Sequence, residues 1–445
     1  MTLPDLLPPR ATALIGGPPG RHTREAGWSA RLAAWILPLV ALPIVLAVLQ
    51  REHCVRYGWN GSDQFWRACF SDLPAQYALG NLHNGIGGFA DGSAHVDQPA
   101  LAGAVMSLLG GLVPVSSALD GSRYYFLYWV VLITLLLALT VWCVLRYLPT
   151  DVPAAAQVAL SPILVLAAVL SSDALAVTLV AGALLAWRRD KVVLTGLLLG
   201  LGIMTRSYVV LVALALVLLV LRGADRGRVG RALAVATGAV GAVALVVGVL
   251  EPQALTSAYS GWWNSEAGYG SLWLIPTVAG AAVPAWAVSL LAVAGWGLAL
   301  GLGWLFVRHA TRTPSWAQVA LIVVAMATIT GKAVPVQAAL WLLPLAVMAG
   351  MRWRDHLIWA GGEALHFLAV WLYVGALTNP DRALPGPWYV VFLLIRLAAI
   401  TWLVTRIWQD AVAPQEPVDA PAPADAPGAS APSQLPPQPR VGVAG

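Results

Sequence analysis

Twelve apolar windows alternate with short polar connections between residues 33 and 407. They fall at 33–50, 124–146, 153–170, 173–187, 191–204, 207–222, 230–250, 284–307, 316–331, 338–350, 356–377 and 387–407. A helix needs about 20 mostly apolar residues to cross ~30 Å of hydrocarbon. The pattern predicts an all-α polytopic membrane protein, a bundle of about 12 transmembrane helices (10–13) by this window length. Several windows are short, and 153–170 with 173–187, or 191–204 with 207–222, can form hairpins that stop short of one face.

The basic residues orient the bundle. Arg10, Arg21, Arg24 and Arg31 precede the first window, and Arg146, Arg188, Arg189 and Lys191 follow on the same side. Arg222, Arg226, Arg228, Arg231, Arg308, Arg312, Arg352 and Arg354 continue the series, a consistent positive-inside pattern. The opposite side carries Asp63, Asp72, Asp91, Asp97, Asp120, Asp173, Glu251, Glu266 and Asp381. Both termini are thus expected in the cytoplasm of a cell (plasma) membrane protein, with loop 51–123 outside. Residues 1–32 read as a polar, basic cytoplasmic segment, and 33–410 as the transmembrane domain. No small-residue cleavage site follows the first window, so it is expected to be retained. The Pro/Ala-rich stretch 411–445 reads as a disordered cytoplasmic tail.

Composition agrees. The 445 residues are 59% hydrophobic and 11% charged, whereas a soluble domain is about 45–50% apolar and about 25% charged. The net charge of +5 is spread over short loops. It speaks for topology and not for nucleic acid. Twenty-one tryptophans suit interfacial belts.

Against so few charges, loop 51–123 stands out. It gathers five aspartates, Asp63, Asp72, Asp91, Asp97 and Asp120, and two of the three cysteines, Cys54 and Cys69. An oxidising compartment permits a Cys54–Cys69 disulfide. It would close a loop of about sixteen residues, worth about 3 kcal/mol in the chain-entropy model. Cys143 lies inside a window and reads as packing. Asn60-Gly61-Ser62 is a glycosylation sequon whose use depends on the host.

In Ser71-Asp72-Leu73-Pro74-Ala75-Gln76-Tyr77, Asp72 sits near the membrane surface. It is placed either to take a proton from an acceptor hydroxyl or to cap a helix that starts at Leu-Pro. Arg206, in Met204-Thr205-Arg206-Ser207-Tyr208, lies at a break between two apolar windows. A guanidinium there can fork a phosphate, or bind a lipid headgroup or a carbonyl. The loop from Glu251 to Gly270 holds Tyr259, Trp262, Trp263, Asn264, Glu266 and Tyr269. These suit sugar stacking and hydrogen bonding, and equally an aromatic belt. Lys332 either reaches a lipid-linked phosphate or snorkels from a span end. Asp173 follows Ser171-Ser172 and reads as a helix cap, with a border of the same outer cavity as the other option. Within the membrane, Glu363 and His366 share a helix face and Arg396 lies on the next span. A Glu363–Arg396 pair is the simplest reading, and a proton relay in a transporter the other. No HExxH, phosphate-loop, GxSxG or CxxC motif carries weight. His53, His83 and His95 are scattered, so no metal or other cofactor is expected.

The order of several short motifs resembles the integral-membrane GT-C glycosyltransferases. The nearest likeness is to the actinobacterial polyprenyl-phosphate-mannose-dependent branch, glycosyltransferase family 87. The motifs are Cys-x-Ser-Asp-Leu-Pro-x-x-Tyr at 69–77, a Gly-rich stretch ending in aromatic-x-Asp at 85–91, and Ser-Asp-Ala-Leu-Ala at 172–176. Gly-x-x-x-Gly-x-x-x-x-Thr-Arg-x-Tyr at 196–208 and Tyr-Gly-Ser-Leu-Trp at 269–273 come next. Gly-Lys-Ala…Gln…Leu-Trp-Leu-Leu-Pro at 331–344 and Trp-Arg-Asp…Glu-Ala-Leu…Val-Trp-Leu-Tyr at 353–373 complete the series. The resemblance implies a GT-C-like bundle and a polyprenyl-phosphate sugar donor, with inversion at the sugar carbon. It makes Asp72 the general base and assigns the donor phosphate to Arg206 and Lys332. Tyr77, Asp91, Asp97, Trp263, Glu266 and Tyr269 are then candidates for substrate binding. The sequence departs from the family pattern at Asp97-Gln98-Pro99, Arg206-Ser207-Tyr208-Val209 and Ala333-Val334-Pro335-Val336-Gln337.

The expected activity is transfer of a hexose, mannose first, to a glycolipid, glycan or protein of the cell envelope. The alternatives are a transporter or flippase for a lipid-linked substrate, working through Glu363, His366 and Arg396, and an inactive relative acting as a scaffold.

Overall fold

Each of the twelve apolar windows contains helix. The computed structural model describes residues 35–413, apart from 115–116, 150, 377–378, 380 and 382–383, and all its regular structure is helical. The predicted segment 1–32 and nearly all of the tail 411–445 lie outside the described residues. Five helices are long and apolar enough to cross a membrane: Ala118–Tyr147, Arg226–Leu250, Ala285–His309, Trp353–Gly375 and Gly386–Val412. The chain is an integral membrane protein on this ground. Seven of the windows hold shorter apolar helical stretches of 10–17 residues, and Ala100–Gly111 is one more of that kind. That helix corrects the reading of 51–123 as a simply polar loop. Its alanines and glycines dilute the apolar signal, but it buries Ala100, Ala102, Gly103 and Met106.

Local chemistry sets several helix starts. Ser117, Asp151, Asp225 and Ser315 each accept a backbone N–H of the first turn, and Ser315 with Gln318 forms a full capping box. Window 153–170 is two helices, Val152–Ala159 and Pro162–Ala167, broken where Ser161 caps the second and Pro162 opens it. The helix Val192–Ile203 lies against Arg226–Leu250 through Gly196 and Gly200. A Cβ on either would collide with the backbone carbonyls of Ala232 and Ala236, so the four-residue glycine spacing is what permits this close approach.

The breaks between short helices position the site. Helices Ala174–Arg188, Tyr208–Leu218 and Ala338–Met348 all begin in one buried region. The helix Asp72–Leu79 is docked there by its first residues: Ser71 Oγ donates to the Val169 carbonyl (2.8 Å), and Asp72 N–H to that of Leu170 (2.8 Å). Buried Arg51 staples the same segment, donating to the Leu166 carbonyl at 2.8 Å. The Cys54–Cys69 disulfide, with Cα atoms 5.8 Å apart, closes the chain just ahead of Ser71.

Candidate active site

Asp72 is not a helix cap. Ser71 has the extended backbone of the cap position and accepts the Leu73 N–H, which puts Asp72 in the first turn with its side chain free. Its Oδ2 accepts one long hydrogen bond, 3.4 Å from Gln337 Nε2, and Oδ1 has no partner among the described residues. The residue is half-buried. Burial pushes its pKa up to about 6; the Arg206 charge lowers it, the Asp173 charge raises it, and the Gln337 bond lowers it.

Beside it, Asp173 is fully buried and precedes the helix Ala174–Arg188, yet its side chain caps nothing. This corrects the reading of Asp173 as a cap. Arg206 Nε stands 2.5 Å from its Oδ1, close but poorly directed for a hydrogen bond, and Arg206 Nη2 donates to Oδ2 at 3.1 Å. Trp341 Nε1 donates to Oδ1 at 3.0 Å, and the Ser171 hydroxyl to Oδ2. Both oxygens are occupied, which leaves Asp72 as the carboxylate with a free oxygen. Arg206 keeps Nη1 unbonded among the described residues, with 18% of its side chain exposed. Tyr208 lies flat on Trp341, ring centroids 4.7 Å apart. Half-exposed Tyr259 is near enough for the Arg206 charge to act on its hydroxyl.

Lys332 does not reach this site. Its ammonium is buried and donates to Ser289 Oγ (2.7 Å) and to the carbonyls of Trp262 (2.7 Å) and Trp263 (3.3 Å). An ammonium has three donors, so none remains for a phosphate, and the side chain does not snorkel. Desolvation lowers its pKa. Tyr77 is also a packing residue: it is buried, stacks on Tyr125 at 4.8 Å and lies against Gly121. Asp91 and Asp97 are exposed, and Asp91 accepts the Ser93 N–H at 2.9 Å in a local turn. Their loop meets the 251–260 segment, where Ser257 Oγ donates to the Val96 carbonyl at 3.4 Å. Trp263, Glu266 and Tyr269 are exposed, and the Tyr269 carbonyl accepts the Val334 N–H at 3.2 Å.

Gln337 and Trp341 carry side chains into the site, although the sequence motifs gave them no role. Their signal was present: four residues apart, they lie on one helix face, inside the motif at 331–344. Glu363 and Arg396 pair as expected, Oε2 to Nε at 2.9 Å, both buried. Trp359 and the Val334 and Pro335 carbonyls take the remaining bonds. Buried His366 has neither ring nitrogen bonded. Among the described residues, no three His, Cys, Asp or Glu side chains gather as a metal site. A cavity of about 460 Å³ is lined by Glu52, Arg56, Asp120, Arg123 and Tyr124 and by none of the residues around Asp72.

No protein-family model matches the chain, and no curated protein matches it. Among solved structures, the chain is similar to the crystal structure of ArnT from Cupriavidus metallidurans bound to undecaprenyl phosphate. The two are 14% identical, over 85% of this chain and 78% of that one, with a TM-score of 0.41. A likeness at that level carries neither fold nor chemistry over to this chain.

Proposed function

We propose that this protein is a membrane glycosyltransferase. It moves a hexose, mannose in the leading reading, from a polyprenyl phosphate to a cell-envelope acceptor on the extracytoplasmic face. The observation that carries the reading is Asp72: a carboxylate with one free oxygen, beside an arginine with one free nitrogen, at a break between membrane helices. The order of the GT-C-like motifs supports it.

In the reaction, the acceptor hydroxyl oxygen attacks the anomeric carbon and gives its proton to Asp72 Oδ1. The bond from the anomeric carbon to the phosphate oxygen breaks with its electron pair, and the polyprenyl phosphate leaves. One displacement inverts the sugar carbon. A base serves best when its pKa lies near the working pH, and about 6 suits that requirement. Arg206 Nη1 takes the departing phosphate by a charge-assisted hydrogen bond, while Asp173 holds the guanidinium in place. Lys332 has no part in this step. It anchors the 262–263 backbone, which presents Trp263 at the edge of the aromatic loop.

The test is transfer from a radiolabelled polyprenyl-phosphate mannose by purified protein in lipid nanodiscs. Asp72→Asn is expected to insert and fold as wild type and to lose transfer by about 10²–10⁴-fold, the usual contribution of a general base. Transfer by Asp72→Asn at the wild-type rate overturns the assignment.

A further inference from the structure

Arg396 lies mid-way along Gly386–Val412, and its partner Glu363 lies on Trp353–Gly375. An ion pair in a membrane is complete once the charges meet and their polar atoms are bonded. Here the arginine does more. Its Nη1 donates to the Val334 carbonyl at 2.8 Å and its Nη2 to that of Pro335 at 3.0 Å. Those carbonyls belong to the non-helical stretch after Ile329, where buried backbone polar groups need partners. Trp359 Nε1 holds the other Glu363 oxygen at 3.1 Å, so the guanidinium is fixed from behind.

The residues just after these two carbonyls form the active-site wall. The Pro335 carbonyl also accepts the Ala338 N–H at 3.1 Å, at the start of Ala338–Met348. Gln337 and Trp341 extend from that start toward Asp72 and Asp173. A second loop is tied to the same block. Tyr389, on the Arg396 helix, accepts the Gly270 N–H at 2.8 Å, and a Cβ on Gly270 would collide with the Val334 carbonyl. The Gln337–Asp72 bond is long, 3.4 Å, so a small movement of 334–337 makes or breaks it.

We propose that Glu363 and Arg396 are a positioning pair: by forking the Val334 and Pro335 carbonyls, Arg396 sets where Gln337 and Trp341 meet the Asp72 and Asp173 carboxylates. Its consequence for sugar transfer rests on Asp72 being the base; the positioning itself does not.

The experiment therefore reads Asp72 without substrate. In lipid nanodiscs, the infrared band of protonated Asp72, identified by its loss in Asp72→Asn, is titrated against pH. The charged groups that face Asp72 are Arg206 and Asp173, and every variant keeps both. Gln337→Leu removes a donor that favours the ionised carboxylate. Its midpoint is expected to rise by about half to one pH unit, the equivalent of one hydrogen bond. Arg396→Lys keeps the charge opposite Glu363, but one ammonium cannot fork two carbonyls as the planar guanidinium does. The midpoint is expected to rise here too. Glu363→Gln leaves Arg396 without a counter-charge but keeps an oxygen for its hydrogen bond, so in folded protein the Asp72 midpoint is expected to stay near wild type. If Arg396→Lys does not fold, the uncharged pair Glu363→Gln/Arg396→Gln takes its place, with the same expected rise. A folded Arg396 variant with an unmoved midpoint, while Gln337→Leu moves, overturns the proposal; so does an unmoved Gln337→Leu. Transfer is assayed in parallel. Wild-type protein that transfers no sugar yet shows the shifts retires the transferase reading and keeps the positioning pair.

Discussion

Two of the acid–arginine pairs among the described residues, Glu363–Arg396 and Asp173–Arg206, differ in what their arginines have left. At Glu363–Arg396, neither side chain reaches solvent, and every guanidinium nitrogen has a partner in the chain. At Asp173–Arg206 the acid is saturated, but the arginine keeps Nη1 open, beside a carboxylate with a free oxygen. The chemistry is the same and the consequence is not. A guanidinium whose bonds are all satisfied holds structure together. One held from a single side is pre-organised for a ligand on the other, with little ordering left to do on binding.

The largest test of that contrast is stability. Glu363→Ala leaves Arg396 buried without a counter-charge and is expected to cost about 3–5 kcal/mol, the usual penalty for breaking a buried pair. Thermal unfolding in nanodiscs checks it. A loss no greater than that of Arg206→Ala, where water reaches the remaining site, removes the distinction between sealed and open pairs. Next comes catalysis: Arg206→Ala is expected to lower transfer by about 10²–10³-fold, as for loss of one preorganised donor to a developing charge. Smaller again is Lys332→Met, which frees two carbonyls and a hydroxyl. It is expected to lower stability by about 1.5–3 kcal/mol, the range for charged hydrogen bonds, with donor affinity nearly unchanged. Weakened donor binding there would return Lys332 to the site.

The smallest effect is a displacement on the pH axis. In the proposed reaction Asp72 takes the proton as a carboxylate, so the rate is expected to rise as pH increases through about 6. Arg206 lowers the pKa of Asp72 and Asp173 raises it. Arg206→Gln should therefore move the rising limb to higher pH, and Asp173→Asn to lower pH, as rate profiles of the two variants would read. A common direction for both variants breaks the electrostatic account of the site.

Much of the helical layout was legible because it is a local property. Window 230–250 becomes Arg226–Leu250 and 284–307 becomes Ala285–His309, since a run of apolar residues dictates both burial in lipid and internal backbone bonding. Ala100–Gly111 escaped because small residues bury well while scoring weakly. In the site, Asp72 and Arg206 stood out as charges at helix ends. Lys332 looked equivalent to Arg206 and is not: one has its donors consumed by Trp262, Trp263 and Ser289, the other keeps one open. Nothing near either residue in the chain encodes that difference, because the partners lie 33–70 positions away.

The sequence by itself determined the membrane character, most of the helices, and the pool of charged and cysteine residues from which a site could be built. Tertiary structure decided which of those charges remain free. It paired Asp173 with Arg206, brought Gln337 to Asp72 across 265 residues, and engaged Lys332 and Arg396 with backbone carbonyls. The physical reason is that a charge inside a membrane must be satisfied by whatever packing brings near. Hydropathy is a sum along the chain, whereas satisfaction is settled only between chain segments far apart in sequence.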